Sequence, residues 1–190
     1  MLNWLFKGKK SEAECGKDFL WQSNAARLRG FDREVGVLVE AERSVLVVAL
    51  GVAALDELES ALARHHPWRC ADLFAKAGLR ERLSKAGTVT LALGSVLGSE
   101  VEAPIGNGVD ILVYCRNDTR AADDAILAFA DSLGPNTYIA FHLSLDDPLL
   151  KAVGGSRIQT LLKLGMNEDE PMESALVTRT IRSAQEKRRG

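Results

Sequence analysis

A three-layer α/β domain, with a mostly parallel sheet flanked by helices, is the fold class predicted by this 190-residue chain. Three observations carry the prediction. Short β-branched apolar runs alternate with longer segments of helical periodicity. The runs are apolar at nearly every position, as in strands buried on both faces. A content of 46% hydrophobic and 26% charged residues suits a chain that buries one sizeable core.

Phe19-Leu-Trp21 reads as a short strand and Asn24–Glu40 as a helix, with Leu28, Phe31, Val35 and Leu38 on one side and Gly30 and Gly36 weakening it. Val45–Leu50 is the clearest buried strand. After Gly51, Leu55, Leu58 and Leu62 recur at helical spacing and place a helix over Ala54–Arg64. His65-His66-Pro67 ends it, because the residue before a proline is pushed out of the α region. A helix over Leu73–Lys85, a strand over Thr88–Leu93 after the breaker Gly87, and a strand over Ile111–Tyr114 follow. Ala121–Leu133 is helical, with Ile126, Leu127 and Ala130 inward and Gly134-Pro135 as its stop, and Tyr138–Leu143 is the fourth core strand.

Beyond that strand the pattern turns to helices alone. They cover Asp147–Val153, Ser156–Leu164 and a longer stretch from Pro171 to about Arg188. Glu168, Asp169, Glu170 and Glu173 crowd the start of the last helix and Lys187, Arg188 and Arg189 its end, each suited to the nearer end of the macrodipole. The expected organisation is an N-terminal segment 1–17, a core domain 18–153 and a helical extension 154–190.

Composition excludes several classes of function. Lys and Arg (24) nearly balance Asp and Glu (26), so no broad basic field exists to hold a nucleic acid. The longest apolar run, Val45 to Leu55 broken only by Gly51, is about half of the roughly 20 residues that a membrane-spanning helix needs. Met1-Leu-Asn-Trp-Leu-Phe6 precedes Lys7, Lys9 and Lys10, the reverse of a secretory signal, so a cytoplasmic location is expected. That apolar hexapeptide, Trp4 included, is a handle with three readings: packing on the domain, peripheral contact with a membrane through residues 1–10, or contact with a partner. Cys15, Cys70 and Cys115 are too widely spaced for a disulfide framework or a zinc site.

The motifs of catalysis are missing as well. No G-x-x-x-x-G-K-[ST] phosphate cradle is present, and Gly8-Lys9 and Gly16-Lys17 lack its remaining parts. Gly106-Asn-Gly108 precedes a strand instead of opening a helix and reads as a turn needing positive φ. Gly94-Ser-Val-Leu-Gly98-Ser99 does follow a strand, where ligands bind in parallel sheets, so Ser95, Ser99, Arg116 and Asp118 form a candidate ligand loop. His65-His66 sits at a helix end and His142 on a sheet face, with no third ligand to make a metal site. Ser132, Ser144 and Cys115 have no nucleophile-elbow context. Asp123-Asp124 and Asp146-Asp147 project apart, and helix capping suits Ser144 or Asp147. No catalytic residue, metal or cofactor is expected.

The C-terminal third carries a resemblance. Phe141-His-Leu-Ser-Leu-Asp-Asp147, Gly154-Gly-Ser-Arg-Ile158, Leu164-Gly-Met-Asn-Glu-Asp-Glu-Pro171, Glu173-Ser174, Val177-Thr-Arg179 and Ser183-Ala-Gln185 resemble, in order and spacing, the end of the second nucleotide-binding domain of SecA, the bacterial preprotein translocase motor. Asp18-Phe-Leu-Trp21 with Ala25 and Ala26, Val45-Leu-Val47 and Gly87-Thr-Val-Thr-Leu-Ala92 extend it upstream, to about residues 18–188. The resemblance implies a RecA-like (P-loop-NTPase-like) motor-domain fold, with residues 154–190 similar to the entry into SecA's helical scaffold.

Departures from the family's pattern bear on function. Where SecA continues with NMAGRGTDI, this chain has Gly94-Ser-Val-Leu-Gly98-Ser-Glu-Val101, so Gly98 and Val101 replace an arginine and an aspartate. Where SecA has QLRGRSGRQGD, this chain has Ile126-Leu-Ala-Phe-Ala-Asp-Ser-Leu133, and the three arginines fall on Ala128, Ala130 and Leu133. Neither alanine nor leucine supplies the charge of an arginine finger. The resemblance therefore implies a catalytically silent copy of the fold that binds a protein partner, SecA or another translocation component. The alternative is a nucleotide or small-ligand sensor or enzyme with a rebuilt site at the sheet's carboxyl end. In the last helix, Met172, Leu176, Val177, Ile181 and Ala184 form an apolar stripe flanked by Arg179 and Arg182. Either the domain buries that stripe, or part of it docks a partner or a second copy of the chain.

Overall fold

Six consecutive buried residues, Ser44–Ala49, form the central strand of the sheet. The computed structural model describes residues 14–15, 18–98, 105–106, 108–152, 160, 165–173 and 175–187, without the side chains of 14, 15, 175 and 176. Its elements are β1 (Glu14–Cys15), β2 (Phe19–Trp21), α1 (Asn24–Glu40), β3 (Ser44–Ala49), α2 (Val52–Ala61), β4 (Trp68–Cys70), α3 (Leu73–Leu83), β5 (Val89–Leu93), β6 (Val109–Val113), α4 (Arg120–Leu133), β7 (Tyr138–Ser144), β8 (Met172–Glu173) and α5 (Ala175–Lys187). The strand order is β4-β5-β3-β6-β7-β2-β8, with β1 also on β7. Every pairing is parallel except that of β8 with β2.

The pleat sorts β3 into two cores, because successive side chains point to opposite faces. Val45, Val47 and Ala49 pack with Phe31 and Val35 of α1 and with Leu55 and Leu58 of α2. Leu46 and Val48 pack with Leu79 and Leu83 of α3 and with Ile126, Phe129, Ala130 and Leu133 of α4. A third cluster joins Leu20 and Leu143 to Leu149, Leu150, Val177 and Ile181, and so closes the β2 edge of the sheet with α5. The fold is the three-layer, mostly parallel class that the sequence predicts.

Several expectations need correction. The last helix begins at Ala175 and not at Pro171, since Met172-Glu173 is drawn into an antiparallel pair with Leu20 and Phe19. No acidic residue therefore occupies its first turn. Glu168 and Asp169 instead pair with Arg29 of α1 at 3.0 and 3.4 Å. The second helix runs from Val52 to Ala61 and passes into a 3₁₀ turn, Ala63–His65, before the edge strand β4, which has no counterpart in the predicted elements. A helix does cover residues 148–152, whereas the one expected over 156–164 lies outside the described residues.

Three glycines have distinct physical jobs. Gly30 lies inside α1 where an added Cβ would meet the Trp21 indole at 2.0 Å, so the missing side chain lets β2 approach the helix. Gly134 ends α4 at φ 110, a conformation L residues avoid. In the Gly106–Gly108 turn, Asn107 lies outside the described residues and Gly106 is not among the positive-φ glycines. Gly108 is instead a close approach, where a Cβ would lie 2.5 Å from the Asn136 carbonyl oxygen.

Candidate functional site

The carboxyl ends of β3, β5, β6 and β7 open on one crevice, the place where parallel sheets bind ligands. Two adjoining clefts compose it, of about 360 and 260 Å³, and Leu50 and Asn117 belong to both. The larger lies between the β6 exit, Cys115–Thr119, and the turn after β7, Asp147–Leu149. The smaller lies between the β5 exit, with Gly94, Ser95 and Leu97, and the first turns of α4, with Ala122, Ala125 and Ile126.

Two buried arginines lie at this end of the sheet. Arg27 sits on the inward face of α1, one turn from Phe31 and two from Val35. Its Nη1 donates to the carbonyls of Tyr114 (2.7 Å) and His142 (3.3 Å) and to Asp147, both of whose carboxylate oxygens lie 2.9 Å away. The guanidinium also rests on the Tyr114 ring, 3.8 Å from its centroid. Asp147 accepts a further bond from the Ser144 amide at 2.8 Å. Burial nonetheless pushes its carboxyl up, against the pull of Arg27 and that amide. The Tyr114 hydroxyl, with one proton to donate, lies 2.6 Å from both a Glu57 carboxylate oxygen and the Asn24 amide oxygen, which ties α1 and α2 to the β6 exit.

Arg116 is the second. It grips Asp18 at 2.6 Å and Asp123 at 3.3 Å, with its guanidinium over the Phe141 ring at 3.4 Å. Asp123 also accepts from the Asn117 amide and side chain, both at 2.9 Å, and from Gln185 of α5 at 2.8 Å. Arg27 thus pairs with Asp147, and Arg116 with Asp18 and Asp123. Cys115 lies beside these pairs. Burial first, then Asp147, with further pushes from Asp123 and Asp118, raises its thiol to about 12 against the opposing pull of Arg27. It is no thiolate nucleophile at neutral pH.

Of the predicted ligand loop, the structure brings Ser95, Arg116 and Asp118 to the two adjoining clefts, while Ser99 lies outside the described residues. Arg116 lines the larger cleft, with its guanidinium paired to Asp18 and Asp123. Asp147 occupies the predicted capping position, but its carboxylate turns to Arg27 and Ser144. Among the positions aligned with family arginines, Ala130 and Leu133 are buried in the core under the sheet and Ala128 is exposed, while Gly98 sits with an added Cβ 2.6 Å from Lys76 Nζ. Val101 and Trp4 lie outside the described residues.

In α5, Ile181 and Val177 are buried, so the domain itself covers that part of the stripe. Arg179 and Arg182 are exposed, and the Leu176 side chain lies outside the described residues. His65 binds Asp32 of α1 at 3.1 Å. His142 is fully buried, with Nδ1 accepting from Trp21 at 3.2 Å and Nε2 3.6 Å from Glu34. Among the described residues no group of His, Cys, Asp or Glu side chains is placed to hold a metal ion, and no helix is long and apolar enough to cross a membrane.

Sequence reasoning missed Arg27; it weighed Asp123 only as a pair with Asp124, and met Asp18 and Gln185 only as parts of the resemblance. Arg27 had a readable signal, since it shares the apolar stripe of Phe31 and Val35, where a charge requires a partner. The others are ordinary surface-type residues whose burial depends on segments far apart in the chain.

SecA of Desulfotalea psychrophila is 28% identical over 184 residues, which cover 91% of this chain and 22% of that protein. SecA of Solibacter usitatus is 42% identical over 80 residues, 42% of this chain and 8% of that one. The chain thus spans about a fifth of the length of the curated relatives it matches along most of its own length. No family model matches it. Among solved structures, T4 UvsW superposes with a TM-score of 0.57 at 8% identity, over 94% of this chain and 39% of that one, a likeness of fold alone. The similarity to SecA runs through nearly the whole chain, and the fold is the RecA-like one that the resemblance implies.

Proposed function

We propose that the chain is a non-catalytic relative of the second SecA motor domain that acts in the cytoplasm by binding protein, in the setting of protein translocation. One observation carries the reading. At the end of the sheet where a nucleotide would lie, both buried arginines are held by carboxylates of the same chain. A triphosphate needs unspent cations and backbone donors, and neither guanidinium is free to supply the charge. The replacement of the family's arginines by Ala128, Ala130 and Leu133, two of them in the core, supports the same reading. Similarity to SecA makes SecA itself, or another translocation component, the partner to test first, with a second copy of this chain as the alternative.

Titration with ATP and ADP tests the proposal. A nucleotide at 100 times its Kd adds about 2.7 kcal/mol of stability, a rise of roughly 5–10 °C in Tm for a domain of this size. The expected result is no shift and no phosphate release above a buffer blank. Turnover that a substitution in this crevice abolishes overturns the reading.

A further inference from the structure

We infer that residues 166–173 form a charge-held strap, which opens while the rest of the domain stays folded and so uncovers Leu20 and the outer edge of β2. Three contacts hold the strap closed. Met172 and Glu173 pair with Leu20 and Phe19 in a ladder two residues long. Met166 and Met172 pack on the cluster that contains Leu20, itself fully buried. The third contact is with α1, where Arg29 donates to Glu168 at 3.0 Å and to Asp169 at 3.4 Å, and Arg33 donates to the Asp169 carbonyl at 2.6 Å.

Burial separates the strap from what it covers. No residue from 166 to 173 is buried, whereas Leu20 and Trp21 of β2 are. The side chains of Arg29, Glu168 and Asp169 are 50, 63 and 67% exposed, and ion pairs so open to water contribute little and weaken with salt. An element with exposed polar contacts, a short ladder and little apolar burial opens at the low end of a protein's range of local opening free energies. The chain is anchored on both sides of it. Leu149 and Leu150 upstream, and Val177 and Ile181 downstream, are buried in the third cluster. Opening therefore lifts a loop between two fixed points and leaves a buried leucine and the backbone groups along the edge of β2 without their cover. Arg29 and Arg33 are the control point, because their charge is the part of the hold that solvent conditions alter.

Native-state hydrogen exchange on the full chain, followed residue by residue by NMR, tests the strap. The amides of 166–173 and the β2 amide that faces β8 should exchange at a common rate, at least about a hundredfold faster than β3 and with little dependence on low urea, since this opening exposes little surface. Raising salt from about 50 to about 500 mM should speed both a few-fold. Arg29→Glu should speed both about tenfold, and adding Glu168→Lys and Asp169→Lys to it should return both to the parent rate. Should Arg29→Glu lose its fold, Arg29→Gln takes its place with an expected change of about threefold. A β2 amide that exchanges at the rate of β3 overturns the inference, because that edge then opens only with the whole domain. Strap amides that speed up without β2, or rates indifferent to the charge at Arg29, overturn it as well.

Discussion

Arg27 and Arg116 are both buried at the same end of the sheet, and they differ in what surrounds them. Arg27 meets one carboxylate, two backbone carbonyls and the Asn24 amide oxygen. Arg116 meets two carboxylates, Asp18 and Asp123, from segments 105 residues apart in the chain (18 and 123). The first centre is balanced in charge and braces the exits of β6 and β7 against α1. The second is overbalanced, and it links the β6 exit to the lead-in of β2 and, through Asp123 and Gln185, to α5. Two copies of one side chain thus do different work: one supports the sheet, the other joins segments that are far apart in the chain.

The largest test of this difference is Arg116→Met, which strands two buried carboxylates and is expected to cost about 3–5 kcal/mol in chemical denaturation. Adding Asp18→Asn and Asp123→Asn to it should recover part of that loss, because a neutral cluster no longer buries unpaired charge. A triple variant less stable than Arg116→Met alone breaks the charge argument. Arg27→Met comes next, at about 3 kcal/mol, since one carboxylate and two carbonyls lose their donor. If both arginine variants cost the same and Asp18→Asn changes neither, the contrast between the two centres is unsupported.

A third prediction concerns pH, at the face of β7 that looks toward α1. Burial depresses His142 to about 3 from 6.5, with Arg27 adding to the effect, and raises Glu34 to about 7 from 4.5, with Asp110 adding to it. Only the unfolded chain protonates His142 between pH 6.5 and about 3, so the neutral imidazole's contribution is full above 6.5 and is lost as pH falls. Glu34 works in the other direction, since its contribution is full below pH 4.5 and is lost as pH rises through about 7. The two oppose each other between 4.5 and 6.5, and below 4.5 the histidine acts alone. His142→Gln keeps an acceptor for Trp21, and because Glu34 is common to both proteins its effect cancels, so the variant's stability relative to the parent should improve as pH falls from 6.5 to about 3, most steeply midway between them. Parallel stability curves for the two proteins exclude this role.

The smallest expected effect belongs to Asp118→Asn. Asp118 is exposed at the larger cleft, and its neutralisation should change stability by no more than about 0.5 kcal/mol. A larger loss would make Asp118 part of the framework of the cleft.

How much was legible follows from range. The helix over Asn24–Glu40 has the limits that apolar spacing predicts, and the four core strands coincide with β3, β5, β6 and β7 to within two residues at each end. Those signals are local. The three-residue strand β4 and the two-residue strand β8 were invisible, since pairing to β5 and β2 makes them strands and no periodicity fits in so few residues. The start of α5 was misplaced for the same reason. At the crevice, the strand-exit rule pointed to Ser95, Arg116 and Asp118, but it was blind to Arg116's partners, which lie 98 residues upstream and 7 downstream.

By itself the sequence determined the alternation of strand and helix, the absence of a phosphate cradle and the near-neutral charge, because each is a property of neighbouring residues or of composition. Only the tertiary structure decided which charges survive at the crevice. Arg116 reads as a cation in the chain and is neutralised in the fold. Burial and pairing between distant segments fix its electrostatic effect, and a linear pattern does not encode which carboxylates, brought from positions 18 and 123, arrive against it.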